Sequence, residues 1–421
     1  MFFLNEIIRS QKNGEGRGIP SICSAHPWVL KEALKTSETI SVCLIEATCN
    51  QVNQYGGYTD MTPADFVRYV HGIAEENQFP FENVFLGGDH LGPNVWQNEP
   101  ADSAMQKSAV LIRDFVQAGF VKIHLDCSMR LGDDPEGALD PQTSARRTAQ
   151  LAKVAEASYV EGIALPRYVI GTEVPIPGGA QGYEVGVNVT KVEEAWQTIR
   201  VMREAFEREG LESAWERVLA VVVQPGVEFG DDFVSEYQPL AARDLSRFIE
   251  SQAMVYEAHS TDYQTREALK NLVGDHFAIL KIGPGLTYAY REAVFALAMI
   301  ENELFPILRS NLIQVLDEVM IQHPEHWKKY YRGSEEEQAV KRKFSFSDRI
   351  RYYWSDPRVQ AALKTLMNNL SEKPLPLFLL SQFAPRQYEQ IRRGEIAWTP
   401  EGVIFDRIRE VLLDYEAACR G

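Results

Sequence analysis

The amino-acid sequence predicts an α/β fold, a (β/α)8 TIM barrel followed by a C-terminal helical extension. Short apolar runs rich in β-branched residues alternate with longer segments of helical periodicity, which is typical of parallel βα units. Polar or ionisable residues follow each of these runs directly. The 421 residues exceed the roughly 250 that a barrel needs. We therefore predict a barrel over residues 1–304 that carries the functional site, and a helical extension over 305–421 packed on it.

Eight apolar runs are predicted strands, the number that closes a barrel. They are Ile19–Ser24, Ile40–Ala47, Asn83–Gly88, Val121–Asp126, Tyr168–Val174, Val218–Gln224, Met254–His259 and Phe277–Ile282.

The segments between the runs have helical periodicity, and Thr62-Pro63 predicts an N-cap with proline in the first turn. The predicted helices are Thr62–Asn77, Ala101–Ala118, Thr143–Glu161, Val192–Glu209 and Arg291–Leu304, followed in the extension by Leu312–Ile321, Glu336–Tyr353, Val359–Asn369 and Ile404–Ala418.

Composition narrows the class of protein. The net charge of −16 argues against binding to nucleic acid or to an anionic membrane surface, since both need a positive field. Five cysteines without CxxC spacing predict free thiols, which fit a reducing cytoplasm. The N-terminus predicts no signal peptide, and no apolar stretch approaches the roughly 18 residues of a membrane span. The sequence contains neither a GxxxxGK[ST] motif nor a GxGxxG motif, so neither kind of nucleotide-binding site is predicted.

The candidate site lies at the carboxyl ends of the predicted strands, where barrel active sites are built. The run Leu86-Gly87-Gly88 ends in Asp89-His90, which suits a base beside a metal ligand; taken alone, the pair also fits a loop cap and a buried imidazole. Ionisable residues at other strand ends suit a divalent metal, namely His90, Glu173 and His259, with His124 and Asp126 nearby. Because His124 and Asp126 lie on one strand, one of them could instead be a paired core residue.

Several nearby residues have more than one interpretation. Lys281 could pair with a carboxylate, hold a phosphate or act as an electrophile, and the first two roles are preferred. His26 could simply cap a helix. Two aromatic and basic stretches, His326–Tyr331 and Arg349–Trp354, could bind sugar or phosphate, but such stretches more often pack against the body of the protein, so they are left out of the predicted site.

The sequence resembles the GatZ/KbaZ family, the Z-type subunit of class II D-tagatose-1,6-bisphosphate aldolase. The segments that carry the resemblance are Cys23–Pro27, Ile45–Gly57, Gly87–Asn94, Lys122–Ser128, Gly171–Gly179, Gln224–Phe229, Tyr256–Gln264 and Ser345–Trp354. The family implies a TIM barrel, cytoplasmic carbohydrate catabolism and a non-catalytic role beside a catalytic Y-type subunit. A more distant similarity to class II fructose-bisphosphate aldolase implies a base at Asp89 and metal ligands at His90, Glu173 and His259, although Gln224 stands where a ligating histidine is expected.

Relatives of this family resemble fructose/tagatose 4-epimerases, and the main functional prediction is a metal-dependent isomerase that opens and re-forms the C3–C4 bond of a ketohexose or its 6-phosphate. The predicted catalytic residues are Asp89, Asp126 and Glu46, and the metal is Mn, Co, Ni or Zn. The predicted substrate-binding residues are Asn50, His124, Gln224, Ser260, Asp262 and Lys281. The alternative is a non-catalytic subunit that stabilises a Y-type aldolase subunit. The sequence is also compatible with a homo-oligomer.

Overall fold

A computed structural model of the chain describes residues 2–37, 42–171 and 188–421. Eight parallel strands form a closed barrel in the order β1-β10-β9-β6-β5-β4-β3-β2, which confirms the predicted fold class. A two-stranded antiparallel ribbon, β7-β8, lies outside the barrel. The strands are β1 (Ile19–Ile22), β2 (Cys43–Thr48), β3 (Val84–Leu91), β4 (Lys122–Leu125), β5 (Arg167–Ile170), β6 (Val218–Val222), β7 (Glu228–Phe229), β8 (Val234–Ser235), β9 (Val255–Ala258) and β10 (Phe277–Ile282).

Helices follow the strands and cover the outside of the barrel. Those up to residue 304 are α1 (Phe2–Lys12), α2 (Pro27–Ser37), α3 (Pro63–Glu76), α4 (Ala101–Ala118), α5 (Pro141–Ala157), α6 (Val192–Arg208), α7 (Glu212–Trp215), α8 (Pro239–Glu250), α9 (Arg266–Gly274) and α10 (Pro284–Leu304). Thr62 and Asp65 form a capping box at the start of α3, with Pro63 in its first turn, as the sequence predicts.

The remaining helices are α11 (Leu312–Gln322), α12 (Glu335–Phe344), α13 (Pro357–Ser371), α14 (Leu377–Phe383), α15 (Pro385–Arg393) and α16 (Pro400–Cys419). Helix α16 returns to the barrel and packs against α2, α9 and α10. Among the residues described, no helix has both the length and the apolar character that crossing a bilayer requires.

The predicted single helix over Glu336–Tyr353 is wrong, because the chain leaves the helix after Phe344. Asp348 has a left-handed backbone with φ of 45°, and a short 3-10 helix follows over Arg349–Tyr352. The buried Asp348 carboxylate explains the break: its Oδ2 accepts a 2.6 Å hydrogen bond from Thr287, and its Oδ1 accepts a 3.0 Å bond from Arg291 Nε. These contacts with α10 outweigh the helical periodicity and bring Arg349–Tyr352 to the mouth of the barrel.

Candidate metal centre and cavity

A cavity of about 810 Å³ opens at the carboxyl ends of the strands. Its inner part is lined by strand-end residues, including Asp89, His90 and His259, and its outer part by residues from beyond 305, including Arg349 and Arg351. The volume lies in the range of sites for small molecules.

Four potential ligands meet at the inner end of the cavity: Asp89, His90, His124 and His259. Each is buried, and their donor atoms lie within 4.8 Å of one another. A shift in the register between β3 and β4, at Gly88/Leu91, accompanies a φ of 49° at His90. Such a bulge redirects side chains, and here neighbouring residues 89 and 90 both join the cluster.

Carboxylates outside the cluster hold two of its imidazoles. His90 Nδ1 lies 2.8 Å from Asp126 Oδ2, and His259 Nε2 lies 2.9 Å from Glu257 Oε1. Hydrogen bonds of this kind fix the orientation of a histidine and make its other nitrogen a better metal ligand.

An ion-pair network lies below the cluster in the barrel interior. Lys122 Nζ is 2.7 Å from both Glu46 Oε1 and Glu257 Oε2. Lys281 Nζ is 2.8 Å from Glu46 Oε2 and 2.7 Å from Asp89 Oδ1. These side chains are almost completely buried, so each charge depends on its partners. Glu46 therefore belongs to this network, and its oxygens face two ammonium groups.

The surroundings shift the pKa of several groups. Burial alone would raise the pKa of Asp89, but His90, Lys281 and His124 together bring it well below its usual value. Burial likewise opposes the ionised form of Asp126, yet the hydrogen bond and charge of His90 lower its pKa to about 2. Burial lowers the pKa of His259 to about 4, so its imidazole is neutral at pH 7 and able to bind a metal.

Most of the predicted substrate-binding residues line the cavity, namely Asn50, Ser260, Asp262 and Lys281. Oδ1 of Asp262 accepts hydrogen bonds from the backbone N–H groups of Gly283 and Gly285, at 3.0 and 2.7 Å, so this carboxylate also caps α10. His124 lies in the metal-binding cluster.

The structure does not bring Gln224 to the cluster, and it does not describe Glu173. Gln224 is not among the residues that line the cavity, and its Oε1 accepts a 2.8 Å hydrogen bond from the backbone N–H of Gly226. Glu173, a predicted metal ligand, lies outside the described residues.

The fold also brings residues outside the predicted site to the cavity. His326, Lys329 and Tyr330 line it together with Arg349, Arg351 and Tyr352. Lys122 and Glu257, which complete the buried network, were also not predicted as site residues. A signal exists for both sets: arginines beside tyrosines in the first, and charged residues within apolar strands in the second.

The four clustered residues fit a divalent metal. Nε2 of His124 is buried and has no hydrogen-bond partner within the described part of the chain, although a buried polar atom normally has one. Three imidazoles and a carboxylate suit Zn²⁺, Mn²⁺, Co²⁺ or Ni²⁺. A metal here would share Asp89 with the Lys281 ammonium group, which lies 2.7 Å from Oδ1.

Comparison with known proteins gives one consistent family. The family model described as "D-tagatose-1,6-bisphosphate aldolase subunit GatZ/KbaZ-like" matches residues 4–420. The chain is 52% identical over 419 residues to a protein of Salmonella dublin named D-tagatose-1,6-bisphosphate aldolase subunit GatZ, and 53% identical to the protein of that name from Salmonella typhimurium. Each match covers 99% of both chains.

A solved structure has the same fold. The crystal structure named a probable tagatose 6 phosphate kinase from Sinorhizobium meliloti is 48% identical, with a TM-score of 0.88, and the match covers 96% of this chain and 100% of that one.

These comparisons contradict the main functional prediction, a sugar 4-epimerase of the isomerase class. Relatives that match over nearly the full length carry the name of an aldolase subunit, which favours the alternative.

Proposed function

The chain belongs to the GatZ/KbaZ-like family of D-tagatose-1,6-bisphosphate aldolase subunits, and from this we propose that it is a non-catalytic subunit that binds and stabilises a separate, catalytic aldolase subunit of the Y type. The observation that carries the proposal is the identity of about half of all positions, over 99% of both chains, with proteins named as this subunit.

The charge arrangement in the barrel is consistent with a supporting role. Two carboxylates predicted to be catalytic, Asp89 as a base and Glu46 as a proton carrier or ligand, each lie within 2.8 Å of the Lys281 ammonium group. A base held by an ion pair must break that pair before it accepts a proton, which raises the cost of the transfer. The catalytic roles of Asp89, Asp126 and Glu46 stay predictions of the sequence.

We further propose that Asp89, His90, His124 and His259 hold a divalent metal, and that the cavity binds a ketohexose or its phosphate. The metal would polarise ligand oxygens at the inner end of the cavity. Asp126 and Glu257 would keep His90 and His259 in place, through contacts of 2.8 and 2.9 Å. Asn50, Ser260 and Asp262 line the same space and would contact the ligand.

The test uses the purified full-length chain and a purified Y-type aldolase subunit. Cleavage of D-tagatose 1,6-bisphosphate is followed for the Y-type subunit alone, with this chain, and with an equal mass of serum albumin. We expect co-elution on size exclusion, a longer half-life of aldolase activity with this chain than with albumin, and no cleavage by this chain alone. Absence of co-elution and of any gain over albumin would overturn the proposal.

A further inference from the structure

The outer end of the cavity contains basic side chains that form no ion pair within the described ranges of the chain. Arg349 is 5% exposed, yet no ion pair of the described residues includes Arg349, Arg351 or Lys329. Buried arginines are normally paired, and the neighbouring Arg291 and Arg342 are, with Asp348 and Asp317. In a chain with 59 acidic and 43 basic residues, carboxylates are abundant, so the buried, unpaired Arg349 beside Arg351 indicates a site for an anion from outside the chain, with the exposed Lys329 at its edge.

Backbone and aromatic contacts hold these cations in place. Nη1 of Arg349 donates a 2.9 Å hydrogen bond to the carbonyl oxygen of His326, and its guanidinium carbon lies 3.1 Å from the centre of the Tyr330 ring. Nε of Arg349 is buried and has no hydrogen-bond partner within the described residues. A donor that is already ordered and unsatisfied favours binding of an acceptor.

Arg351 is held in a similar way. Its Nη2 donates a 2.8 Å hydrogen bond to the hydroxyl of Tyr352, and its Nη1 donates a 3.1 Å bond to the carbonyl oxygen of Asp348. Tyr352 is itself held by His326, because the two rings stack with their centres 4.7 Å apart. Lys329 Nζ lies 4.9 Å from the centre of the Tyr330 ring and supplies a third cation.

The acidic residues lining the cavity are Asp89, Asp262 and Glu325. Asp89 is paired with Lys281, and Asp262 accepts two backbone hydrogen bonds at the start of α10. Within the described part of the chain, none of the three acidic residues, Glu325 included, forms an ion pair with Arg349, Arg351 or Lys329. The cavity is therefore divided, with candidate metal ligands at its inner end and unpaired cations at its outer end.

We propose that Arg349, Arg351 and Lys329 form a phosphate-binding subsite, which recognises the phosphate of a sugar phosphate whose hydroxyl and carbonyl oxygens reach the inner cluster. Guanidinium groups match the geometry of phosphate oxygens, and ordered arginines lose little entropy on binding. This inference rests on the proposed binding of a ketohexose or its phosphate in the cavity, and it adds which chemical form is recognised and by which residues.

The test measures binding by the purified full-length chain with isothermal titration calorimetry, at one Mn²⁺ concentration throughout. The probes are D-tagatose 6-phosphate, D-tagatose and inorganic phosphate. We expect the sugar phosphate to bind at least about 10-fold more tightly than the free sugar, and inorganic phosphate to compete with it. Equal affinity for D-tagatose and its 6-phosphate, or no binding of either, would overturn the subsite.

Matched variants locate the subsite. Arg351→Gln and Lys329→Gln each remove one cation of the subsite and should weaken binding of the sugar phosphate by about 10-fold, while leaving that of D-tagatose unchanged. The control is Lys328→Gln, which makes the same change in charge at an exposed residue that does not line the cavity. An equal loss in the Lys328 variant would show a non-specific effect of charge and would contradict the proposal. Because no aldolase subunit is present, failure here is distinct from failure to support aldolase activity.

Discussion

The Nζ atom of Lys281 lies 2.7 Å from Oδ1 of Asp89, and this contact connects the buried ion pairs in the barrel interior to the candidate metal ligands above them. The same ammonium group lies 2.8 Å from Glu46. One lysine at the end of β10 therefore neutralises carboxylates from β2 and β3, which are almost completely buried and would otherwise repel each other.

Replacing Lys281 tests this role. Lys281→Met keeps an unbranched side chain that is one atom shorter, but leaves Glu46 and Asp89 short of a positive charge. We expect the free energy of unfolding to fall by about 3–5 kcal/mol in urea denaturation at pH 7. Lys270→Met, at an exposed position on α9, is the control and should change it by less than about 0.5 kcal/mol. A similarly small effect at Lys281 would contradict a stabilising network.

The candidate metal centre predicts a specific loss of metal affinity. After treatment with EDTA and dialysis, the wild-type chain should bind one Mn²⁺ or Zn²⁺, with a rise in melting temperature. His124→Ala removes the imidazole with the unpaired Nε2 and should weaken that affinity by about 10-fold or more in calorimetry. His71→Ala is the control, because His71 is half-exposed on α3. Equal affinity in the two variants would exclude His124 as a ligand.

Glu32 on α2 predicts a pH-dependent effect on stability away from the cavity. Burial raises the pKa of this carboxyl to about 7, against about 4.3 in an unfolded chain. The folded protein thus holds a proton that the unfolded chain releases, and stability is lost as the pH rises from about 4.3 through 7. Glu32→Gln, which is neutral at every pH, should match wild type near pH 4 and be about 2 kcal/mol more stable at pH 8.

The comparison is made by urea denaturation at both pH values, with Glu372→Gln at an exposed position as the control. If Glu32→Gln does not raise the free energy of unfolding at pH 8, burial does not destabilise the ionised form of Glu32, and the prediction is wrong.

Gly87 on β3 makes room for Glu46. A Cβ atom at Gly87 would lie 2.6 Å from Cγ of Glu46, which is too close for two carbon atoms. Gly87→Ala should therefore lower the free energy of unfolding by about 1–3 kcal/mol. Gly72→Ala is the matched control in α3, where a Cβ meets nothing within 4 Å, and it should raise stability by about 0.5–1 kcal/mol. Thermal or urea unfolding measures both, and equal effects would contradict the steric argument.

Much of the barrel could be predicted from the sequence because its strands and helices have regular hydrophobic patterns. All eight predicted barrel strands overlap observed ones, and Ala101–Ala118 has the predicted bounds. The predicted convergence of Asp89, His90, Asp126 and His259 also follows, since parallel strands in a closed barrel bring their carboxyl ends to one rim.

Tertiary contacts decided what periodicity does not encode. Helical spacing continues through Phe344, but the buried contacts of Asp348 with Thr287 and Arg291 end the helix and place Arg349 and Arg351 over the cavity. The sequence also does not predict the partners of Glu46, because Lys122 and Lys281 reach it only once the barrel closes.

The sequence by itself determined the family, the (β/α)8 barrel and the strand ends where chemical groups collect, because these depend on the pattern of residues along the chain. Only the tertiary structure decided that Glu46 is enclosed by two ammonium groups and that the cavity has a basic outer end. Those properties depend on distances between residues far apart in the chain, and on the cost of burying a charge without a partner.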